Sequence, residues 1–537
     1  MRVLLKLTRN LLLYPSIKKV IRAYRTVHAK GDPLFLGRVY EALTLRELNC
    51  GSDQFSKFFL GGLQAHAEIC LRQILLKRLI CRSLNARILI CITNPEAKLV
   101  YPLPNEWIKL LSAHGIRVAK CRSALLFRCF ALLFFTYGVL QSTKEYILRI
   151  RSGEKIITRP YVHFIGIEKK NIPIINNPDS FTIVDWYLNW AGRIFGLRSV
   201  THEVRDLSNE LIKGIHVATA PIYMIRLTSL RSRVGHFFWC VWVFFYVLIQ
   251  AFMGRLAGLL LFREAILTHR VEQLGTIGRL ADEYMFSCSQ HIHRPLWTYA
   301  AEQSGSQVTM YYYSVSMPFI FRGKRPRMES GLQSMTWQRI LTFSKNHRDY
   351  LEEATQSRIP IELVTPIYFS DYVAKVPTYD KKNVAVFDVT PVRMAERALL
   401  APADDYRTAE VGIRFLEDLY TVLASNGYSL IWKKKRTTSS IHSKIYANYT
   451  SSFKTRPGVI EVHSDVAASR VIDSCAAVIS MAFTSTAVFA HSSKKPSIFY
   501  DPTGDLFAGD SAAFGLPLIV GVSELSDWVH NLNPTDI

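Results

Sequence analysis

The residue types best suited to chemistry are concentrated in one short stretch near the carboxyl end of the chain, positions 478–501. There a hydroxyl-rich turn separates two apolar runs typical of buried strands, and a short helical pattern follows the turn. A strand that ends in small hydroxyl residues and leads into a helix offers free backbone N–H groups and a positive dipole end, which suits a phosphate. The candidate phosphate-binding residues of this stretch are Ser480, Phe483, Thr484, Ser485, Thr486 and Asp501.

Polar residues also follow the other predicted strands of the same region. They are Thr390, Lys433, Lys435, Arg436 and His463. Because ligands of open parallel sheets bind beyond the carboxyl ends of the strands, we expect these side chains to line one edge and the cations to bind a diphosphate. Simpler roles remain open: a solvated charge run for the basic residues, helix capping for the hydroxyls and a structural hydrogen bond for the histidine.

If the carboxyl-terminal region binds a phosphate-bearing donor, the first half of the chain should bind the acceptor of the transferred group and supply a general base. A carboxylate or imidazole at the cleft would take the proton of the acceptor hydroxyl. The candidates for this catalytic role are Glu302, His293 and Asp185, with Asp282 as a further possibility. The alternative for each is ordinary surface or structural polarity.

The elements that position these residues follow from the alternation of short apolar runs with helical patterns from about residue 85 onwards. This alternation predicts parallel sheets wrapped by helices, so the fold class is α/β with two Rossmann-like doubly wound domains. The predicted units are a basic helical region at 1–80, a first domain at 81–369, a linker at 370–382 and a second domain at 383–537. Hydrophobic helical insertions near 124–140 and 236–262 interrupt the first domain.

Composition limits the class of partner. The 537 residues are 49% hydrophobic and 20% charged, which excludes a disordered chain, and a net charge of +23 favours anionic partners. The nine cysteines form no C-x-x-C pair and are expected to be reduced. Dinucleotide-binding and P-loop glycine motifs are absent, as is a convincing D-x-D pair, so we expect chemistry that needs no metal or other cofactor.

Basic and apolar segments indicate a membrane surface. The first thirty residues carry eight Lys or Arg and no acidic residue, and their apolar residues recur at helical spacing. They lack the pattern of a secretory signal. Positions 234–254 carry no formal charge and are rich in aromatic residues. Both flanks are basic, so their charge sets no orientation across a bilayer. A monotopic attachment to an anionic membrane surface is favoured over a true span or burial in the core, because the two flanks must share one side if they build one active site.

The motif region resembles a known family. The run 478–487 and the run 495–504, together with Asp185-Trp186-Tyr187 and 297–302, are similar to the bacterial surface-polysaccharide biosynthesis proteins named for a Pro-Phe-Thr-Ser motif. The similarity extends over about residues 160–510. Ala482 stands where the motif has proline, which predicts a looser turn.

What the resemblance implies is a GT-B-like glycosyltransferase of O-antigen or capsule assembly at the cytoplasmic face of the inner membrane. We therefore expect a nucleotide-sugar donor at the second domain and a lipid-linked saccharide or oligosaccharide acceptor at the first. A polyol-phosphate transferase of the teichoic-acid type and a catalytically silent scaffold of a membrane synthesis complex remain as alternatives. Nucleic-acid binding is disfavoured, because aromatic residues are not interleaved with the basic clusters.

Overall fold

The computed structural model describes most of the chain from residue 120 onwards and two short segments before it. The described residues are 88–89, 117–118, 120–157, 159–167, 182–192, 199–204, 210–212, 215–253, 257–287, 294–295, 297–314, 335, 337–355, 357–365, 377–392, 406–434, 442–464 and 466–532. Two strands at the beginning, β1 (Ile88–Leu89) and β2 (Arg117–Val118), pair in parallel with one another.

The first domain is built on an eight-stranded sheet. Its strands are β3 (Tyr161–Ile165), β4 (Ser199–His202), β5 (Glu210–Ile212), β6 (Ile215–Thr219), β7 (Glu283–Ser287), β8 (Gln307–Tyr311), β9 (Arg339–Thr342) and β10 (Ile361–Leu363). Their spatial order is β10-β9-β8-β7-β3-β4-β6-β5, and every pair is parallel except the edge pair β5–β6. The strand order reverses between β3 and β7, as in a doubly wound fold.

Helices cover both faces of this sheet. They are α1 (Lys120–Ser152), α2 (Ile183–Tyr187) continued by a π-helical turn (Leu188–Gly192), a 3-10 turn (Ile222–Met224), α3 (Leu230–Met253), α4 (Ala257–Thr276), α5 (Trp297–Gln303) and α6 (Lys345–Thr355). Two hydrophobic clusters fill the two faces, one around Tyr284 and Trp297 and the other around Phe164 and Trp186.

Three long helices of the first domain, α1, α3 and α4, pack against one another around a small core. Phe135 of α1 contacts Phe244 of α3 and Phe262 of α4 edge to face, with ring centroids 5.1 and 5.5 Å apart. Val243 and Val247 complete this small core. The two predicted hydrophobic insertions thus fold against one another as a helical unit.

The second domain is a six-stranded, wholly parallel sheet. Its strands are β11 (Asp380–Phe387), β12 (Ser429–Lys433), β13 (Val459–Val462), β14 (Cys475–Met481), β15 (Ser497–Asp501) and β16 (Leu518–Val520). Their spatial order is β13-β12-β11-β14-β15-β16, which is the Rossmann order, so the topological switch point lies between β11 and β14.

The helices of this domain are α7 (Ala409–Ser425), α8 (Lys444–Phe453), α9 (Ala468–Asp473), α10 (Ser485–Ser492), a 3-10 turn (Ser511–Ala513) and α11 (Gly521–His530). Helix α7 shows how the sequence sets them: the Thr408 hydroxyl caps its first turn by accepting from the Val411 N–H, 3.1 Å away. Phe415, Leu416 and Leu419 recur at helical spacing and are fully buried against the sheet.

The two domains touch near the carboxyl end of β9. The Asn346 side-chain amide donates to the Ser511 carbonyl oxygen at 3.1 Å. Phe343, directly after β9, packs on the hydrophobic core of the second domain. The carboxyl edge of the first sheet therefore borders the second domain.

The predicted fold class, α/β with two Rossmann-like doubly wound domains, is confirmed. Within the described residues, β1 and β2 pair only with one another and do not join the eight-stranded sheet, contrary to expectation. Strand β11 begins at Asp380, inside the predicted linker 370–382. The basic region 1–80 and linker residues 370–376 lie outside the described residues, so the domain boundaries stay predictions.

Candidate functional site

The candidate site lies where the second sheet reverses its strand order. Phe387, the last residue of β11, pairs with Ser480 of β14. The loop 388–391 after β11 and the turn 482–484 after β14 must therefore leave the sheet side by side. This is the position at which open α/β sheets bind ligands.

Helix α10 begins at this point, and within the described part of the chain its amide end is uncapped. Thr484 has extended backbone angles as the residue before the helix, but its side chain makes no capping hydrogen bond to α10. Instead the Thr484 hydroxyl bonds the Thr486 hydroxyl at 3.0 Å, which in turn bonds the buried Ser480 hydroxyl at 2.8 Å. The capping alternative for Thr484 is thus not what the structure shows, and the first N–H groups of α10 receive no side-chain oxygen from it.

Two motif residues fix the backbone at the ends of β14 and β15. The Phe483 ring packs edge to face on Phe499 of β15, with centroids 5.1 Å apart, and is almost fully buried. Asp501 is fully buried, and its carboxylate accepts from the Thr503 amide at 2.8 Å, the Thr503 hydroxyl at 2.7 Å and the Leu506 amide at 3.1 Å. Phe483 and Asp501 therefore shape the wall of the site.

The loop after β11 is fixed from behind and carries a buried hydroxyl. The buried Tyr446 hydroxyl of α8 donates to the Asp388 carboxylate, and the Ser443 amide donates to the Pro391 carbonyl oxygen at 2.9 Å. Burial, followed by the Asp388 charge, raises the pKa of Tyr446 well above its usual value. Between these two anchors the Thr390 hydroxyl, in a residue only 7% exposed, has no hydrogen-bond partner among the described residues.

A glycine allows the close packing behind this loop. A Cβ atom on Gly412 of α7 would lie 3.0 Å from the Tyr446 ring and 3.4 Å from the Pro391 ring. The first turn of α7 can therefore lie directly against the loop and α8. Asp388, Tyr446 and Gly412 were not among the predicted site residues, since only the fold brings them to this strand end.

Of the basic residues at the strand ends, Lys433 and Lys434 make contacts within the protein and His463 is exposed. The Lys433 ammonium is nearly buried and donates to the Ser464 carbonyl oxygen at 3.1 Å, so it ties the end of β12 to the end of β13. Its neighbour Lys434 forms an ion pair with Glu461 at 2.6 Å. His463 is exposed beyond β13, whereas Lys435 and Arg436 lie outside the described residues.

The first-domain candidates for a general base are placed in structural contacts. Glu302, in the last turn of α5, forms an ion pair with the buried Arg294, which precedes the first residue of that helix. Asp185 is buried in a capping box with Thr182, accepting from its amide at 2.9 Å and its hydroxyl at 2.8 Å. The structure brings neither carboxylate to the turn 482–484 by any described contact, and His293 lies outside the described residues.

Asp282, the further candidate, directly precedes β7 and therefore lies at the amino edge of the first sheet. Its carboxylate pairs with Arg159 and accepts from the Tyr161 amide at 2.8 Å. Among the described residues, no group of three or more His, Cys, Asp or Glu side chains is arranged to hold a metal ion. The free Cys475, expected to be reduced, is buried in β14, and burial raises the pKa of its thiol to about 11.

A comparison with solved structures matches the chain to several others, including the following three. HepE of Anabaena in complex with UDP-glucose is 8% identical, and the superposition covers 69% of this chain and 88% of that chain with a TM-score of 0.34. The wall teichoic acid polymerase TagF is 11% identical over 76% and 89% of the two chains, with a TM-score of 0.36. The lipopolysaccharide outer core galactosyltransferase WaaB is 15% identical over 70% and 94%, with a TM-score of 0.32.

At the level of sequence, no curated protein matches the chain. The family described as "polysaccharide biosynthesis PFTS motif protein" does match, over residues 247–529. This region holds α4 to α6, the whole second sheet and the hydroxyl-rich turn around Thr484. The protein therefore belongs to the PFTS-motif family of polysaccharide biosynthesis proteins.

Proposed function

We propose that the protein is a glycosyltransferase that moves a sugar from a nucleotide-activated donor to a lipid-linked or oligosaccharide acceptor in the assembly of a bacterial surface polysaccharide such as O-antigen or capsule. The second domain binds the donor and the first domain binds the acceptor. Membership of a polysaccharide biosynthesis family and the presence of two Rossmann-like domains support this assignment.

One observation carries the proposal: the uncapped amide end of α10 lies at the switch point of the second sheet. Backbone N–H groups and a helix dipole directed at one place stabilise a phosphate. The Thr390 hydroxyl, buried without a described partner on the neighbouring strand end, supplies one further hydrogen bond there. A nucleoside diphosphate is the anionic ligand that suits this position.

The chemistry assigned to this end of α10 is stabilisation of the leaving nucleotide. As the bond between the sugar and the diphosphate breaks, negative charge develops on the phosphate oxygens. Fixed amide donors stabilise that charge without reorganisation. We propose that no metal ion is required for this step, because the amides and the dipole act on the charge directly.

Ser485 offers a sharp test because it is the first residue of α10 and Thr484 before it is extended (φ −105°, ψ 146°). Proline is tolerated at the first helical position and after an extended residue, so Ser485→Pro removes one N–H donor while the helix is kept. Ser485→Ala is the matched control, since it removes the hydroxyl and keeps the amide. The measurement is the thermal shift of the full chain with UDP-, GDP- and CMP-sugars and with CDP-glycerol.

We expect at least one nucleotide-sugar to raise the melting temperature of the wild type, Ser485→Ala to keep most of that shift and Ser485→Pro to lose most of it. A shift with CDP-glycerol alone would favour the polyol-phosphate transferase. No shift with any nucleotide, in a chain that melts cooperatively, would favour a silent scaffold and contradict the proposal.

A further inference from the structure

Helix α3 carries a continuous apolar surface that faces away from the protein. Its large exposed side chains recur every three or four residues along the whole helix, with exposed fractions between 40% and 76%. They are Leu230, Val234, Phe237, Phe238, Val241, Trp242, Phe245, Ile249, Phe252 and Met253. We call this set the α3 stripe.

The stripe is an exposed face of a well-packed helix. On the opposite side of α3, Val243, Val247 and Ala251 are fully buried, and the two valines pack against Phe135 of α1 and Phe262 of α4. The Trp239 indole N–H donates to the Ala265 carbonyl oxygen of α4 at 3.3 Å. The orientation of α3 is therefore fixed by the protein, and the stripe is presented outward.

The size of the stripe calls for a covering partner. At about 150–250 Å² for each aromatic side chain, the four phenylalanines alone, each exposed by 58–65%, leave on the order of 500 Å² of apolar surface in water. A typical soluble monomer has a largest apolar patch of about 300–600 Å² in total. The remaining members of the stripe extend it well beyond that range.

Charge at one end of α3 indicates what kind of partner covers it. Arg231 and Arg233 are the only charged residues of the 24-residue helix, and both lie in its first turn. Arg226 and Arg149 lie beside them, and within this described group the one acid, Glu154, pairs with Arg149, Arg226 and Arg233. An apolar, aromatic face with a basic end matches an anionic lipid surface, where aromatic rings lie at the headgroup level.

The topology excludes one way of placing α3 in a bilayer. Its length and mean hydropathy of 1.7 are sufficient for a span. However, the strands before it (β3 to β6) and after it (β7 to β10) belong to the same sheet. A single crossing by α3 would put one half of that sheet on each side of the membrane, which cannot occur.

We propose that the α3 stripe lies in the interface of an anionic membrane, with α3 along the surface and its basic end on phosphate-bearing headgroups. This inference does not rest on the donor site. It gives the first domain a fixed approach to an acceptor that resides in the bilayer.

The test is flotation of the full chain with vesicles of phosphatidylethanolamine and phosphatidylglycerol at physiological ionic strength, with phosphatidylcholine vesicles for comparison. The stripe variant carries Phe238→Gln, Phe245→Gln and Phe252→Gln. The matched control carries Leu211→Gln, Leu363→Gln and Ile445→Gln, which are exposed by 65%, 47% and 70% away from α3. A third variant, Arg231→Gln, tests the basic end.

We expect the stripe variant to bind the anionic vesicles at least tenfold more weakly and the control to bind as the wild type does. Arg231→Gln should weaken binding to anionic vesicles about fivefold, the equivalent of about 1 kcal/mol, and should leave binding to phosphatidylcholine unchanged. Cooperative melting of all variants within a few degrees of the wild type in the absence of any ligand would show that the chains are folded.

Two results would overturn the proposal. One is vesicle binding by the stripe variant equal to that of the wild type. The other is a wild-type dimer, seen by sedimentation in the absence of lipid, that the stripe variant dissociates while vesicle binding stays the same. The second result would mean that the stripe is covered by another copy of this chain.

Discussion

Thr390 carries a hydroxyl whose burial has no structural explanation within the described part of the chain. A buried hydroxyl without a hydrogen bond costs free energy, and this one persists at the strand end where a ligand is proposed. The neighbouring polar side chains do have hydrogen-bond partners. Asp388 accepts from Tyr446, and the Thr486 hydroxyl bonds those of Ser480 and Thr484. Thr390 is therefore the side chain best suited to bind a ligand that reaches the switch point.

The substitution Thr390→Val tests this role at constant side-chain shape. It should leave the free energy of unfolding unchanged within about 0.5 kcal/mol or raise it, because no protein hydrogen bond is lost. It should weaken nucleotide binding about fivefold, the worth of one hydrogen bond of about 1 kcal/mol. Chemical denaturation and calorimetric titration measure the two effects. A clear loss of stability would mean that the hydroxyl serves the fold.

The positions of Thr390, Ser480 and Thr484 at strand ends could be anticipated from the sequence, because an apolar run followed by a hydroxyl residue is a local signal. The role of Lys433 could not. Its ammonium donates to the Ser464 carbonyl oxygen, a partner 31 residues away that only strand pairing brings close. Likewise the ion pair between Glu302 and Arg294 joins the last turn of α5 to a residue before its first turn, and residue type alone does not predict this contact.

Helix α10 depends on the hydroxyl chain that joins it to β14. Thr486 is the central member, since its hydroxyl contacts those of both Ser480 and Thr484. Thr486→Val should leave two partly buried hydroxyls without a partner and lower the free energy of unfolding by about 1–2 kcal/mol. Ser492→Ala, at the other end of α10, is the control, with an expected loss below about 0.5 kcal/mol. Equal effects of the two substitutions in denaturant titrations would contradict the importance of the chain.

Helix α6 carries a buried histidine that makes stability depend on pH. His347 is fully buried and bonds the Thr342 hydroxyl through Nδ1 at 2.9 Å, and burial lowers its pKa from 6.5 to about 3. Below pH 6.5 the unfolded chain takes up a proton that the folded chain refuses, so stability falls as the pH falls towards 3. At pH 4.5 this loss amounts to about 2–3 kcal/mol.

His347→Gln should therefore show a shallower loss of stability between pH 6.5 and 4.5 than the wild type does. The measurement is the denaturation midpoint as a function of pH, with the comparison made relative to each protein's own value at pH 7.5. Parallel curves for the two proteins would show that His347 does not contribute to the acid sensitivity.

Among whole elements, strands β11 to β15 of the second sheet could be predicted from the sequence to within a few residues because their apolar runs are uninterrupted, whereas β16 was not singled out. Strands β3, β4 and β6 of the first sheet were not singled out. Polar residues interrupt their apolar patterns. In the folded sheet His163 Nδ1 and the Thr201 hydroxyl bond one another across β3 and β4 at 2.7 Å, and the Thr201 hydroxyl also donates to the Val162 carbonyl oxygen at 3.4 Å. A segment that contains such a polar residue resembles a loop in the sequence, because the partner that satisfies the residue in the folded sheet is distant along the chain.

The molecule as a whole keeps both halves of the chain on one side of any membrane that α3 contacts, because the first sheet takes strands from before α3 and from after α4. An epitope tag inserted at the exposed Gly153, before α3, and a tag at the carboxyl end should therefore be accessible from the same face of sealed membrane vesicles. Protease protection of one tag but not the other would contradict the topology.

The central claim is that the first amides of α10 bind the diphosphate of a nucleotide-sugar. Hydrogen exchange of the backbone amides tests it directly. The exchange is measured by mass spectrometry on peptides that cover 482–488, with and without the nucleotide-sugar that gives the largest thermal shift. The account predicts slower exchange at Ser485, Thr486 and Ala487 in the presence of the ligand, and no such change in Ser485→Pro. Bound ligand that leaves these amides unchanged and protects another part of the chain would contradict the account.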